Sequence, residues 1–164
     1  MVARPGFDVP AFLAEPHRPA AVAVVNRRGE PALASMWFLF EDRRMWFHTA
    51  TIGPPSPFLA AAHVGATVAV MIETFDARDR VLKVRVTGPA RIETTDIERV
   101  QRIYDRYLGG NVNAWSPAWD EQARSSDYQL WSVSPDRGSA VDYPRLRNGG
   151  GIYRWEDLSD FPTS

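Results

Sequence analysis

The sequence predicts a small, mostly β protein: an antiparallel barrel of six short strands with α-helices as connections. Six segments are rich in β-branched and apolar residues, and most of them are joined by short polar turns. These segments do not alternate regularly with helical ones, as they would in a parallel α/β sheet. A chain of 164 residues has the size of one domain, which we assign to residues 1–144, with residues 145–164 as a C-terminal tail.

The six predicted strands differ in how they expose their side chains. They comprise residues 20–26, 31–40, 45–50, 66–74, 80–93 and 128–135. Segment 66–74 is almost continuously apolar, which predicts a strand through the centre of the sheet. Segment 80–93 alternates instead, with Leu82, Val84 and Val86 on one face and polar side chains on the other.

Four predicted helices begin at residues that suit a helix N-terminus. The opening residues are Asp8, Ser56 followed by Pro57, Thr95 in a capping box with Glu98, and Ser116 followed by Pro117. Pro16 stops the first helix. The third extends to about Leu108 with apolar residues at helical spacing, and Gly109 ends it.

Composition and charge exclude several classes of function. A formal net charge of −1 provides no electrostatic reason to expect a nucleic acid or an anionic membrane as partner. The absence of cysteine excludes disulfides, thiolate nucleophiles and thiolate metal sites. No apolar stretch approaches the ~18 residues that span a bilayer, and the N-terminus lacks the pattern of a signal peptide. We therefore expect a soluble cytoplasmic protein.

The chain lacks the motifs of enzymes whose side chains carry the chemistry alone. It has no G-x-S-x-G elbow, no Walker loop, no H-E-x-x-H and no G-x-G-x-x-G after a strand. His17, His48 and His63 lie in different elements without ligand spacing, so we expect no metal site. We assign no catalytic residue, and expect a bound cofactor to carry any chemistry.

The stretch "FHTATIGPPSPF" joins the end of a predicted strand to the start of a predicted helix. It alternates as a strand, breaks over Gly53, Pro54 and Pro55, and restarts at Ser56 and Pro57. Small hydroxylated residues that lead into a helix N-terminus are a common arrangement for holding a phosphate. The stretch is therefore a candidate phosphate site.

The order of these segments matches a known pattern. An "RRGEP" turn leads to a strand with "MWF", and a strand ending "WFHTAT" leads to the helix opened by Ser56. An apolar strand, "VTGPARIE", a helix ending "RYLGG" and a strand "LWSVSPDR" follow. Over about residues 8–144 this order resembles the FMN-binding split-barrel superfamily. These are the pyridoxamine 5′-phosphate oxidase-like proteins, which include the deazaflavin-dependent reductases of actinobacteria.

The resemblance implies a fold, an assembly and a chemistry. The fold is a six-stranded antiparallel split barrel, Greek-key-like, and the assembly is a homodimer with two cofactor sites at the interface, each lined by both chains. The cofactor is FMN or, alternatively, the 8-hydroxy-5-deazaflavin coenzyme. Members of the family oxidise or reduce small molecules by hydride transfer at the flavin ring.

The resemblance also implies which residues contact the cofactor. These are Ser35, Met36, Trp37, Phe38, His48, Thr49, Ala50, Thr51, Ser56 and Phe58. The phosphate motif of the family is a serine followed two residues later by a lysine, and Phe58 occupies the lysine position here. A charge-assisted hydrogen bond contributes about 1.5–3 kcal/mol, so the loss of this lysine weakens phosphate binding.

Two hypotheses of function remain open at this stage. The first is a flavin- or deazaflavin-dependent oxidoreductase that acts on a small conjugated or aromatic molecule. The second is a split-barrel protein that has lost the usual cofactor and binds haem or a hydrophobic metabolite without redox turnover. In both, we expect Trp115 and Trp119, in a polar connection after the third helix, to form a substrate or interface wall.

Overall fold

The structure is a computed structural model that describes residues 4–76, 80–146, 148 and 151–163. The described residues form a mostly β protein with short helices. The strands are β1 (Ala20–Val25), β2 (Pro31–Met36), β3 (Leu39–Glu41), β4 (Arg44–Ala50), β5 (Thr67–Asp76), β6 (Arg80–Ile92), β7 (Tyr128–Val133), β8 (Arg137–Asp142) and β9 (Ile152–Trp155). The helices are α1 (Val9–Ala14), α2 (Pro57–His63), α3 (Ile97–Leu108), α4 (Pro117–Arg124) and α5 (Tyr143–Leu146). None of these helices is long and apolar enough to cross a membrane.

The strands form one antiparallel sheet that is not closed. Its order is β2-β1-β5-β6-β7-β4-β3, with β8 paired to β6 and β9 paired to β8. The long strand β6 joins the two parts of the sheet, because residues 80–89 pair with β5 and residues 90–92 pair with β7. This architecture confirms the predicted mostly β split barrel.

The described residues contain nine strands, so the predicted number of six is wrong. The predicted segment 31–40 is divided into β2 and β3 at Trp37 and Phe38. The strand is interrupted there because a side chain binds its backbone: the N–H of Phe38 donates to the Tyr107 hydroxyl at 3.0 Å. That N–H is therefore not available to a neighbouring strand.

The other unpredicted strands, β8 and β9, follow the last predicted strand. Gly138 interrupts the apolar pattern from which a strand such as β8 is predicted. A glycine is needed at this position because a Cβ would overlap the Arg85 carbonyl and the Trp155 ring. Trp155 in β9 is only 2% exposed, and its Nε1 donates to the Pro135 carbonyl at 2.8 Å. The segment after residue 144 thus contributes a strand to the sheet, whereas the division into domain and tail at that residue stays a prediction.

Strand β4 is buried on both of its faces. Met45 and Phe47 belong to the main core, which lies between the sheet and helices α1 and α2. Trp46, on the opposite face, belongs to a second cluster beneath α3 and α4, in which Ile103 and Tyr104 are also buried. A strand between two apolar layers is a rigid support for the side chains near its end.

Two of the predicted helix N-caps are confirmed by their hydrogen bonds. Asp8 accepts the N–H of Ala11 through Oδ1 at 2.9 Å, and Ser56 accepts the N–H of Leu59 through Oγ at 3.3 Å. Ser116 occupies the N-cap position of α4 but makes no side-chain cap hydrogen bond. The starts of α1, α2 and α4 are therefore as predicted.

The predicted capping box of α3 is wrong. The N-cap is Asp96 rather than Thr95, and its Oδ1 accepts the N–H of Arg99 at 3.0 Å. The carboxylate stands one residue closer to the first helical turn, and it is a stronger acceptor for the free N–H groups than a hydroxyl. The helix ends at Gly109 with a φ of 86°, as predicted.

Candidate functional site

A cavity of about 330 Å³ lies between the end of β2, strand β4 and helices α3 and α4. We term it the His48 cavity. Its lining residues are Ser35, Met36, Trp37, His48, Thr49, Ala50, Ile103, Tyr104, Trp119 and Gln122. The fold thus brings together residues 35–37, residues 48–50 and Trp119, which the sequence had singled out on three separate elements.

The two helices contribute side chains to this cavity through their periodicity. On α3, Ile103 and Tyr104 line the cavity, and Tyr107 follows them by four and three residues, the spacings that bring side chains onto one face of a helix. On α4, Trp119 and Gln122 are three residues apart and also share a face. Both faces are directed at the same end of β4, which closes the cavity on one side.

Trp37 is the centre of a rigid aromatic wall. Its ring stacks on Tyr107, with centroids 4.7 Å apart and an interplanar angle of 3°. Tyr104 meets it edge-on at 5.5 Å, and Trp119 lies tilted against it at 5.1 Å. Because the Tyr107 hydroxyl also holds the Phe38 N–H, the stacked pair is tied to the break between β2 and β3.

His48 forms the polar edge of the cavity. Its ring stacks on Tyr128 at 5.1 Å, and its Nδ1 lies 3.3 Å from the Tyr104 hydroxyl. The same hydroxyl accepts a hydrogen bond from Nε2 of Gln122 at 2.7 Å. Burial lowers the pKa of His48 from 6.5 to about 4 and raises the pKa of Tyr104 from 10.0 to about 12. Both groups are therefore neutral at pH 7.

A second, larger cavity of about 970 Å³ lies at the opposite end of the β1–β2 hairpin, and we term it the Ser56 cavity. Its lining residues are Val25, Asn26, Arg27, Arg28, Pro54, Pro55, Ser56, Pro57, Ala60, Ala61, Val64 and Ala66. The Arg28 guanidinium is bound to Glu30 through Nε at 3.0 Å and Nη2 at 2.8 Å. Within the described part of the chain, Arg27 makes no ion pair.

Four of the residues singled out from the sequence line neither cavity. Phe58 is 6% exposed and its ring stacks on Trp131 at 6.4 Å, because a large aromatic side chain in an apolar helix fills the core. Phe38 is fully buried in the same core, and Thr51 is exposed after the end of β4. Trp115 lies buried behind Tyr104, with its Nε1 donating to the Gly109 carbonyl at 2.7 Å, so of the two tryptophans only Trp119 lines the His48 cavity.

Sequence reasoning missed the residues that complete the His48 cavity. In the sequence, Tyr104 is one of the apolar residues at helical spacing in the third predicted helix, and no motif indicates a role for Gln122 or for Tyr128, whose ring stacks on His48. One signal was present, since the hydroxyl of a buried tyrosine requires a hydrogen-bond partner. The pattern of the sequence does not indicate which partner, because Tyr104 and His48 are 56 residues apart.

The described residues contain no group of three or more His, Cys, Asp or Glu side chains that is arranged to hold a metal ion. A site built only from protein ligands, as for a structural zinc ion, is therefore not formed in that part of the chain. A metal that a cofactor brings with it needs fewer protein ligands, and a single imidazole is sufficient for a haem iron.

Comparisons with known proteins agree on the fold. No protein-family model matches the chain, and no curated protein matches it in sequence. A conserved hypothetical protein from Mycobacterium tuberculosis is 21% identical with a TM-score of 0.65, and the match covers 84% of both chains. A Clostridium acetobutylicum protein of the pyridoxinephosphate oxidase family is 12% identical with a TM-score of 0.53, also over 84% of both chains.

A further similar structure is that of the FAD and heme binding protein from Mycobacterium smegmatis, which is 18% identical with a TM-score of 0.61. The match covers 89% of this chain and 80% of that one. At these identities the likenesses show the fold alone: the chain has the split-barrel fold of the pyridoxamine 5′-phosphate oxidase-like proteins.

Proposed function

We propose that this split-barrel protein binds a flavin-type cofactor in the His48 cavity and acts as an oxidoreductase on a small conjugated or aromatic molecule. The observation that carries the proposal is the combination of a rigid aromatic wall at Trp37 with a neutral polar edge at His48. A flat conjugated ring stacks on such a wall, and a few placed polar groups fix its orientation. FMN is the first candidate, and the 8-hydroxy-5-deazaflavin coenzyme is the alternative.

The size and the polar groups of the His48 cavity fit one fused-ring system. Its volume of about 330 Å³ is at the lower end of the ~300–1,000 Å³ that is typical of small-molecule sites. Thr49 accepts the Nε1–H of Trp131 through Oγ1 at 2.8 Å, which leaves its own hydroxyl proton to donate. Together with Ser35 and His48, it offers polar groups to the edge of a bound ring.

The phosphate of such a cofactor belongs, in this proposal, in the Ser56 cavity. The Ser56 hydroxyl accepts the N–H of Leu59 and keeps its own proton for an anion. Position 58 is a phenylalanine that is buried in the core, so the positive charge of the family's lysine is missing there. We assign the replacement to Arg27, which lines the same cavity from the β1–β2 turn.

Haem binding without redox turnover is the second candidate. It is favoured by the neutral imidazole of His48, because a neutral imidazole nitrogen is a common ligand of haem iron. The FAD and heme binding protein of similar fold supports it as well. A hydrophobic metabolite is a further occupant in this class, since the wall opposite His48 is aromatic.

A homodimer is part of the proposal. Residues of β1 and β2 that pair in register present Ala23, Val25 and Leu33 on one outer face, and Val25 and Leu33 are 66% and 75% exposed. An apolar sheet face left open to solvent is typical of an interaction surface. We expect the mass of a dimer by light scattering at micromolar concentration, and a shift towards monomer for Leu33→Asp. The cytoplasmic location stays a prediction.

The absorption spectrum and direct titration test the proposed function. We expect FMN or the deazaflavin to bind with a shifted visible spectrum, and the bound flavin, once reduced under nitrogen, to be reoxidised by a small quinone. Trp119→Ala removes one ring of the wall and weakens the affinity for FMN by about threefold to tenfold. Phe75→Ala, at an exposed aromatic residue outside both cavities, is the matched control and leaves the affinity unchanged.

Two results would contradict the proposal. A protein that binds haemin but neither flavin nor deazaflavin supports the second candidate. Flavin affinity that is equal in Trp119→Ala and the wild type places the ring elsewhere than on the wall at Trp37.

A further inference from the structure

Three side chains from three elements form a hydrogen-bonded chain that ends at the His48 cavity. Gln122 of α4 donates from Nε2 to the Tyr104 hydroxyl of α3 at 2.7 Å, and that hydroxyl lies 3.3 Å from Nδ1 of His48 in β4. No described residue hydrogen-bonds to Nε2 of His48, and this nitrogen is not among the buried polar atoms that lack a partner. Nε2 is therefore accessible at the cavity that the imidazole lines.

The direction of the first hydrogen bond favours one direction for the second, because a Tyr104 hydroxyl that accepted from both Gln122 and His48 would leave its own proton without an acceptor among the described residues. A tyrosine hydroxyl has one proton to donate and two lone pairs that accept. Since Tyr104 accepts from Gln122, its proton is free for the other polar atom within reach, which is Nδ1 of His48. Nδ1 then accepts, and a neutral imidazole with an accepting Nδ1 carries its proton on Nε2.

We infer that Gln122 and Tyr104 hold His48 as the Nε2–H tautomer, so that His48 donates a hydrogen bond to its ligand and does not bind a metal. This inference rests on the proposed function in taking a conjugated ring as the occupant. It specifies the ligand class further: a ring system with a carbonyl oxygen or an unprotonated ring nitrogen at its edge. A flavin has such acceptors, whereas a haem iron requires the Nε2 lone pair that this tautomer does not offer.

The surroundings of the imidazole are consistent with a fixed neutral tautomer. The imidazole is faced by the Tyr104 hydroxyl of α3, which is neutral at pH 7, and it stacks on the Tyr128 ring of β7. Burial lowers the pKa of His48 to about 4, and none of the charged side chains described near the cavity counters this effect. Gln122 and Tyr104 are thus positioning residues that act through His48.

Nitrogen NMR of the ligand-free protein tests the tautomer without any cofactor. The chain has three histidines, and His48→Gln identifies the signals of His48 in a long-range ¹H–¹⁵N spectrum. We expect a pyrrole-type Nε2 and a pyridine-type Nδ1 that do not change between about pH 5.5 and pH 8. A pyrrole-type Nδ1, or two averaged nitrogens, overturns the inference.

Gln122→Glu tests the positioning role. A glutamate carboxylate only accepts, so Tyr104 must donate to it and can then only accept from His48. We expect the pyrrole-type signal to move from Nε2 to Nδ1, and haemin to bind more tightly than to the wild type. Ala118→Glu adds the same charge to an exposed position of α4 and is expected to leave the tautomer unchanged. An unchanged tautomer in Gln122→Glu contradicts the positioning role.

Ligand titration separates a failed inference from a failed function. The amide of His48→Gln places an N–H donor near the position of Nε2, so we expect flavin affinity within about threefold of the wild type, against a loss of about tenfold in His48→Leu. Equal losses in both variants overturn the donor role but leave the flavin site. An Nε2–H spectrum in a protein that binds no flavin overturns the proposed function and leaves the tautomer established.

Discussion

The two cavities of this protein lie at opposite ends of the β1–β2 hairpin and differ in how they are built. The His48 cavity is small and lined by aromatic rings, and three of its polar side chains, Gln122, Tyr104 and His48, bind one another. The Ser56 cavity is about three times as large, half of its lining residues are proline or alanine, and its charges lie at the β1–β2 turn. We therefore expect the His48 cavity to select a ligand by its shape and the Ser56 cavity to select one mainly by its charge.

This difference indicates how a fold recognises an elongated ligand. A rigid wall selects a flat ring by packing, and the packing is lost if any supporting ring moves. An open cavity with a guanidinium selects an anion by electrostatics, which tolerates displacement but weakens in salt. The helix start at Ser56 resembles a phosphate site in its backbone, while its positive charge comes from another part of the chain.

Phe58→Lys has the largest expected effect, because Phe58 lies next to the Ser56 cavity in sequence but points into the main core. We expect the free energy of unfolding to fall by about 3–5 kcal/mol, since the core loses an aromatic ring and receives a charge. Phosphate binding should gain nothing, because the lysine either stays buried or unfolds the start of α2. Urea unfolding and FMN titration measure the two quantities.

Phe75→Lys is the matched control, since Phe75 is 78% exposed and its loss is expected to change stability little. A Phe58→Lys variant that keeps its stability and binds FMN tenfold more tightly would show that the position faces the Ser56 cavity. That outcome would restore the family's lysine site and remove the reason for assigning its charge to Arg27.

The pH dependence of stability tests the His48 cavity alone. Burial lowers the pKa of His48 from 6.5 to about 4, so between these values the unfolded chain binds a proton that the folded protein does not. The contribution of the neutral His48 to the free energy of unfolding is fully present above pH 6.5 and is lost as the pH falls towards 4. We expect a loss of about 2 kcal/mol, given that the ring is only partly shielded from solvent.

The measurement is urea unfolding at a series of pH values, with His48→Gln expected to lack this part of the slope. His63→Gln, at an exposed histidine of α2, is expected to keep the profile of the wild type. Parallel profiles for the wild type and His48→Gln would mean that His48 is hydrated, and the two cavities would then differ less than described above.

Arg27→Ala tests the electrostatic role of the Ser56 cavity. Among the described residues Arg27 has no ion pair, so its guanidinium is available to a phosphate, whereas that of Arg28 is bound to Glu30. We expect FMN affinity to fall about tenfold at low salt, with a smaller loss in Arg28→Ala. Riboflavin lacks the phosphate and should bind both variants as it binds the wild type. An equal loss for riboflavin would place the effect on folding rather than on the anion.

The sequence predicted the fold better than the site, for physical reasons. Alternation and continuous apolar runs located β1, β4, β5, β6 and β7, because these strands border a core. Strands β8 and β9 were not predicted, because Gly138 and the short segment at Trp155 show no strand pattern in the sequence. Their conformation depends on close packing against distant residues. For the His48 cavity, the resemblance located the residues on β2 and β4. The chain from Gln122 to His48 arises only when α3 and α4 fold over β4.

Asp96→Ala has the smallest expected effect and concerns the helix that supports the His48 cavity. The carboxylate accepts the Arg99 N–H at the start of α3, and its removal should cost about 0.5–2 kcal/mol. Thr95→Ala should cost less, because Asp96 and not Thr95 is the N-cap. Since Tyr104 lies two turns further along the helix, we expect flavin affinity to change less than twofold in either variant.

Urea unfolding that ranks Thr95→Ala as the more damaging change would move the start of α3 by one residue. A large loss of affinity in Asp96→Ala with FMN, but none with a phosphate-only probe at the Ser56 cavity, would show that the aromatic wall depends on the whole length of α3.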